Sequence, residues 1–124
     1  IVGRPISILL SQNKIFGNST VTVAHSRTTN LEELCLDSDL IISAIGKPEF
    51  IKGDMVKKGS TIIDVGITRV DDSSSHKGYR IAGDVDFNSV SSRVGFITPV
   101  PGGVGPMTIA MLLKNTLKAC TLSD

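Results

Sequence analysis

One continuous apolar run, residues 39–46, constrains the fold most, because it has strand length and stops at a glycine. A run that is apolar at consecutive positions is typical of a strand buried on both faces of a parallel sheet. Residues 61–67 predict a second such strand, and the β-branched residues 20–24 predict a third buried strand. Shorter strands are expected at residues 80–85 and 95–98.

Helical patterns alternate with these strands. Residues 2–10 have a proline in the first turn and apolar residues spaced by three and four, which predicts a helix packed on a sheet. Asn30 is the expected N-cap of a short helix, with Glu33 three residues on. Residues 107–117 predict an apolar helix with Pro106 at its first turn. The alternation indicates an α/β fold, a doubly wound and mainly parallel sheet with flanking helices.

Composition limits the classes of function. The chain has 124 residues, enough for one domain, with 13 basic against 12 acidic residues. This balance gives no reason to expect a nucleic acid or a membrane as partner. Cys35 and Cys120 lie far apart without metal-ligand spacing, so we expect two reduced thiols and no metal site. No apolar run has the length of a membrane helix, and a cytoplasmic protein is expected, with a mitochondrion or plastid left open.

The expected ligand site is at the carboxyl ends of the strands, where residues 24–28, 44–48 and 65–69 would meet. The helix that begins near Gly3 would offer free backbone N–H groups to a pyrophosphate. Alternatively, Gly3 only allows close packing of the helix. The local sequence leaves both interpretations open.

Residues 25–28 occupy the place where dinucleotide-binding folds recognise the adenosine ribose. An acidic residue there would repel a 2′-phosphate, but this chain has a hydroxyl at Ser26 and a guanidinium at Arg27. These groups favour NADP over NAD. An ordinary polar loop is the alternative, and His25 is assigned no chemistry.

Residues 98–108 are the most unusual segment, with three prolines and three glycines that run into a predicted helix. Such backbone could lie flat against a ligand. Asp64 and Asp84 stand near strand ends, where a carboxylate can act as a base but more often caps a turn. The chain has no catalytic triad order, paired-carboxylate spacing or phosphate-loop lysine motif. The residues thus predict a binding domain without a catalyst.

A resemblance to a known family adds to the prediction of a binding domain. The motif that carries it is Pro99-Val100-Pro101-Gly102-Gly103-Val104-Gly105-Pro106-Met107-Thr108. It resembles the C-terminal motif of the bifunctional methylenetetrahydrofolate dehydrogenase/methenyltetrahydrofolate cyclohydrolases. The order of the other motifs agrees, at residues 1–5, 25–28, 39–42 with 46–48, 64–67 and 83–85. The match covers nearly the whole chain, and the ten-residue motif is highly specific.

The resemblance implies that residues 1–124 are a Rossmann-like NAD(P)-binding domain whose first strand lies before Ile1. The N-terminal domain of the family, which carries its catalytic lysine, tyrosine, glutamine and aspartate, is absent from this sequence. We therefore expect no catalytic residue here, a homodimer through this domain, and an inactive fragment when it stands alone. The complete protein would oxidise 5,10-methylenetetrahydrofolate with NADP and hydrolyse the product to 10-formyltetrahydrofolate.

The resemblance also implies roles for individual residues. Ser26 and Arg27 would meet the 2′-phosphate, Ile67 would lie near the nicotinamide, and Gly46 and Thr108 would also contact the cofactor. The residues expected to border the folate and the nicotinamide are Pro101, Gly102, Gly103, Val104, Gly105, Pro106, Met107, Thr108 and Ile109. The longer connection at residues 15–19 departs from the family and should only lengthen a surface loop.

Two other functions remain as alternatives. The first is a nucleotide-binding remnant that has lost its chemistry. The second is an oxidoreductase of the shikimate dehydrogenase type, which also has a serine or arginine pair after its second strand. The motif at residues 99–108 argues against the second.

Overall fold

The computed structural model describes residues 1–122. Its elements follow in chain order: α1 (Gly3–Ser11), α2 (Leu31–Asp37), β1 (Leu40–Ser43), a 3₁₀ turn (Gly53–Met55), β2 (Thr61–Asp64), β3 (Thr68–Asp71), β4 (Tyr79–Ala82), α3 (Phe87–Val90), β5 (Phe96–Ile97) and α4 (Val104–Thr121). Helices and strands alternate through much of the chain, as the sequence pattern predicts.

The main sheet has three parallel strands in the order β1-β2-β5. Ile41 is the register partner of Ile62, and Ile62 is the partner of Ile97. The strands β3 and β4 form a separate antiparallel pair. The expected class, a mainly parallel α/β sheet with flanking helices, is confirmed.

The hydrophobic core lies on one face of this sheet, between the strands and the elements α2, the 3₁₀ turn and α3. Its buried members are Cys35, Ile41, Ile51, Val56, Ile62, Val85 and Val90. Full burial of such a side chain stabilises the fold by about 1.5–3 kcal/mol. The core therefore fixes the strands β1 and β2, whose carboxyl ends carry the polar residues described below.

The prediction of a strand at residues 20–24 is wrong. These residues belong to no strand or helix, and together with α1 and β1 they line a groove of about 620 Å³. A strand needs a neighbour that pairs its backbone N–H and C=O groups. Among residues 1–122, no strand pairs with this segment.

The same groove corrects two further predictions. The strand β1 is not buried on both faces, because Leu40 is 44% exposed and Ile42 is only half-buried. The helix α1 does not pack on the sheet. None of its residues is buried, and Ile6 and Leu10 line the groove.

Four smaller predictions have mixed outcomes. A strand within residues 80–85 is confirmed as β4, but it pairs with β3, which the sequence pattern did not reveal. The strand at residues 95–98 is confirmed as the two-residue β5. The last helix is longer than predicted and begins at Val104. Asn30 holds the N-cap position of α2 but makes no side-chain capping bond.

Candidate functional site at the carboxyl edge of the sheet

Three loops meet where the parallel strands end. They are residues 44–48 after β1, residues 65–67 after β2 and residues 98–103 after β5. The backbone N–H of Val65 donates to the Ser43 carbonyl at 2.8 Å, and that of Asp64 donates to Thr98 Oγ1 at 2.8 Å. The structure thus brings together the two expected ligand loops at residues 44–48 and 65–69.

A fully buried carboxylate lies under the first loop. Asp84 is 0% exposed, and its Oδ1 accepts from the N–H groups of Gly46 and Lys47, both at 3.0 Å. Its Oδ2 accepts from the Ile45 N–H at 2.6 Å and from Ser43 Oγ at 3.3 Å. Three consecutive N–H groups that converge on one anion form a backbone nest. Here the chain's own aspartate fills that nest.

A second buried carboxylate joins the first. Asp64 Oδ1 accepts from the N–H groups of Gly66 at 2.9 Å and Asp84 at 3.0 Å, and Oδ2 accepts from the Val85 N–H at 3.0 Å. A Cβ atom at Gly66 would collide with the Asp84 carboxyl group, and one at Gly83 with that of Asp64. The capping interpretation of the two aspartates is therefore confirmed, and their burial leaves neither available as a base.

The segment rich in proline and glycine folds back on itself after β5. The Val100–Pro101 peptide bond is cis, and Gly102 has a φ of 101°, where only glycine is unstrained. A Cβ atom at Gly103 would collide with the Pro99 carbonyl oxygen and lie 3.0 Å from Thr98 Cβ. These residue types are therefore required by the backbone path itself. The residues expected to border a ligand, 101–109, are exposed or half-buried.

Residues 25–28 form a compact turn. The His25 N–H donates to Thr28 Oγ1 at 3.0 Å, and the Arg27 N–H donates to His25 Nδ1 at 3.1 Å. His25 thus shapes the turn, and the side chains of Ser26 and Arg27 are exposed. Within residues 1–122, no hydrogen bond or ion pair joins this turn to the loops at the sheet edge.

The remaining predicted cofactor residues lie in different surroundings. Gly46 has a φ of 74° with open space where a Cβ atom would be, although its N–H is already bonded to Asp84. Ile67 is the last residue of the second loop and is 69% exposed. Thr108 is exposed on α4, and its Oγ1 donates to the Val104 carbonyl at 3.1 Å.

Sequence reasoning missed two features of the edge. It did not foresee that Asp64 and Asp84 act as a connected pair, although the glycine beside or near each aspartate was an available signal of close packing. It also gave no role to Lys47, whose exposed ammonium lies 5.3 Å from the centroid of the Phe50 ring. Lys47 is a cation at the rim of the loop that encloses Asp84.

Residues 1–122 contain no cluster of three or more His, Cys, Asp or Glu side chains that could hold a metal ion. No helix in that part of the chain is sufficiently long and apolar to cross a membrane.

Comparison with known proteins decides the family. The model of the family described as tetrahydrofolate dehydrogenase/cyclohydrolase, NAD(P)-binding domain, matches residues 1–124. The chain belongs to this family. The expectation from the motif at residues 99–108 is confirmed, and the alternative of a shikimate dehydrogenase type is wrong.

Relatives of this family are similar over nearly the whole chain. The bifunctional protein FolD of Flavobacterium johnsoniae is 66% identical over 119 residues, which are 96% of this chain and 40% of that protein. The FolD protein of Protochlamydia amoebophila is 63% identical over 124 residues, 100% of this chain and 42% of its own length. The chain therefore spans about two fifths of the length of the curated relatives it matches.

Solved structures agree on the fold. The FolD methylenetetrahydrofolate dehydrogenase/cyclohydrolase of Campylobacter jejuni has a TM-score of 0.85 at 47% identity, covering 100% of this chain and 40% of that one. The Trypanosoma brucei enzyme, complexed with NADP cofactor and inhibitor, has a TM-score of 0.78 at 48% identity. The match covers 85% of this chain and 36% of that one. The chain is thus an NAD(P)-binding domain of the tetrahydrofolate dehydrogenase/cyclohydrolase family.

Proposed function

We propose that this domain binds NADP for an enzyme that oxidises 5,10-methylenetetrahydrofolate to 5,10-methenyltetrahydrofolate and hydrolyses it to 10-formyltetrahydrofolate. The observation that carries the proposal is the family match over residues 1–124. The three loops gathered at the carboxyl edge support it, because open parallel sheets bind their ligands there. Bound NADP would accept the hydride from the methylene group of the folate.

In this proposal the turn at residues 25–28 selects the cofactor. Ser26 and Arg27 are exposed, and His25 holds the turn that presents them. A guanidinium and a hydroxyl suit a 2′-phosphate through charge-assisted hydrogen bonds, whereas they give NAD no such contact. NADP is therefore the preferred cofactor.

The other contacts are assigned to the sheet edge. Gly46 and Ile67 lie on adjacent loops and are proposed to contact the cofactor, with the exposed Ile67 near the nicotinamide. Thr108 and the rest of residues 101–109 are proposed to border the nicotinamide and the folate. The bare backbone of Gly102, with nothing within 4 Å of a Cβ position, permits the close approach of a flat ring.

We also propose that a second domain completes the active site and supplies the acid and base groups. Two surfaces support this. The groove beside β1 is lined by residues 20–24, which pair with no strand among residues 1–122, and it suits one further strand from the rest of the protein. The helix α4 exposes an apolar stripe of Ile109, Leu112, Leu113 and Leu117, and proteins rarely leave contiguous apolar surface of this kind uncovered.

The complete protein is further proposed to be a cytoplasmic homodimer. The two-stranded sheet β3-β4 supports self-association, because within residues 1–122 each of its strands pairs on one edge only. An unpaired edge is a template for a second copy of the same strand. Analytical ultracentrifugation of the complete protein should show a dimer. A monomer would contradict the proposal.

The direct test is turnover. The complete protein is mixed with 5,10-methylenetetrahydrofolate and NADP, and formation of NADPH and 10-formyltetrahydrofolate is followed, with NAD as the control cofactor. NADP-dependent formation of both products is expected. NADP binding without turnover would instead support the non-catalytic remnant, and failure to bind either cofactor would overturn the proposal.

A further inference from the structure

Asp84 and Asp64 are buried carboxylates without a cationic partner. Asp84 is 0% and Asp64 is 3% exposed, and the ion pairs within residues 1–122 involve other carboxylates. Removing a charge from water is costly unless hydrogen bonds replace its hydration. Here four donors satisfy Asp84 and three satisfy Asp64. Six of these seven donors are backbone N–H groups, so the two carboxylates satisfy the main chain of the surrounding loops.

The donors reveal what the pair does. Three of the four donors to Asp84 are the consecutive backbone N–H groups of residues 45–47, a loop outside any helix or strand. The residues after this loop are held from the same side, because the Glu49 N–H donates to the Gly83 carbonyl at 2.9 Å and the Ile51 N–H to the Asp84 carbonyl at 3.0 Å. Gly83 and Asp84 thus define the path of the whole loop.

The second loop is fixed by the same pair. Asp64 Oδ1 accepts from both the Gly66 N–H and the Asp84 N–H, so one oxygen atom joins the turn before Ile67 to the residue that holds the first loop. Because a Cβ atom at Gly66 would collide with the Asp84 carboxyl group, the two loops can only approach this closely through glycine. The relative position of Gly46 and Ile67 therefore depends on Asp84.

We propose that Asp84 is a positioning residue for the nicotinamide cofactor. With Asp64, it sets the loops that carry Gly46 and Ile67 in their binding shape before the cofactor arrives, and it touches neither cofactor nor folate. The inference rests on the proposed function, in which Gly46 and Ile67 contact NADP. A site that is ordered in advance binds more tightly because less freedom is lost on binding.

The test is Asp84→Asn in the complete protein. The new amide has the same shape, but its NH₂ group must face either the Ile45 N–H or the N–H groups of Gly46 and Lys47, so a donor meets a donor. The dissociation constant for NADP should rise about tenfold or more. Because Asp84 does not contact folate, the KM for folate at saturating NADP should stay within about threefold of the wild type.

The matched control is Asp86→Asn, two residues further on. Asp86 pairs with Lys52 at 3.1 Å and caps α3, and within residues 1–122 its side chain forms no hydrogen bond or ion pair with residues 44–48 or 65–67. Its NADP affinity should stay within about twofold of the wild type, because a surface ion pair contributes little. Equal NADP affinity in Asp84→Asn and the wild type would overturn the inference while leaving the proposed function intact. Absence of NADP binding to the wild type would overturn both.

Hydrogen exchange gives a measurement that needs no variant. In the wild type without cofactor, the amides of residues 45–47 should exchange slowly, like those of Ile62 and Ile63 in β2, although they belong to an exposed loop. In Asp84→Asn they should exchange rapidly while β2 stays protected, which would show that the variant folds. Rapid exchange of the loop in the free wild type, with protection only after NADP is added, would overturn the inference even if the variant did not fold.

Discussion

Replacing Gly83 with alanine tests the packing of the buried carboxylates most sharply. Gly83 is buried between β4 and Asp84, and a Cβ atom there would collide with the Asp64 carboxyl group and lie 2.8 Å from Val100 Cγ2. An added methyl group would therefore press against the hydrogen-bonded Asp64 on one side and against Val100, in the segment after β5, on the other. Neither can move freely.

The expected loss has two parts. Displacing Asp64 breaks at least its bond to the Val85 N–H, and a hydrogen bond to a charged group contributes about 1.5–3 kcal/mol. Crowding a packed interior costs about 1–3 kcal/mol more. The free energy of unfolding should thus fall by about 3–5 kcal/mol, which lowers the Tm of the domain.

The assay is thermal unfolding of the complete protein followed by circular dichroism, with Gly59→Ala as the matched control. Gly59 is exposed and has a φ of 81°, but nothing lies within 4 Å of its Cβ position. The free energy of unfolding of Gly59→Ala should therefore fall only by the backbone strain of alanine in the left-handed region, about 1–2 kcal/mol. If Gly83→Ala lowers Tm no more than Gly59→Ala does, the packing argument is refuted.

Three further outcomes are expected. Ser26→Asp should weaken NADP binding by about 1–3 kcal/mol through repulsion of the 2′-phosphate and leave NAD binding unchanged; calorimetry checks this, and an unaltered NADP affinity would remove Ser26 from the site. Cys120 should react rapidly with a thiol reagent and Cys35 only on unfolding, because burial raises the pKa of the Cys35 thiol; similar rates would contradict the core assignment. The hydrogen bond from Lys52 lowers the pKa of Asp86 in the folded state, so this pair should stabilise the domain above the pKa of the unfolded chain and lose its effect as the carboxylate protonates in acid. Urea unfolding should show about 0.5 kcal/mol less stability for Asp86→Asn near neutral pH and no difference in acid, whereas a difference independent of pH would contradict the pair's role.

The sequence predicts best those parts of the fold in which a segment's own residues decide its structure. The strands β1 and β2 were recognisable because each has consecutive apolar residues, although only alternate residues are buried. The prediction of a strand at residues 20–24 failed because β-propensity describes how well a residue fits a pleated sheet, and no partner strand is available among residues 1–122. The strand β3 was missed because half of its residues, including Arg69, are exposed and charged.

The candidate site shows the same limit. The turn at residues 25–28 and the segment at residues 98–108 were recognisable from local residue types that the backbone requires. The capping of residues 45–47 by Asp84 was not, because these residues are 37 to 39 positions away in the sequence. A bond across that distance depends on the parallel sheet being assembled first, and no local pattern encodes it.

Calorimetric titration of the complete protein with NADP and, separately, with NAD tests the central claim most directly. The account predicts that NADP binds at least about tenfold more tightly than NAD, because the guanidinium of Arg27 and the hydroxyl of Ser26 meet a 2′-phosphate that NAD lacks. Failure of both cofactors to bind would contradict the assignment of the carboxyl edge as a nucleotide site.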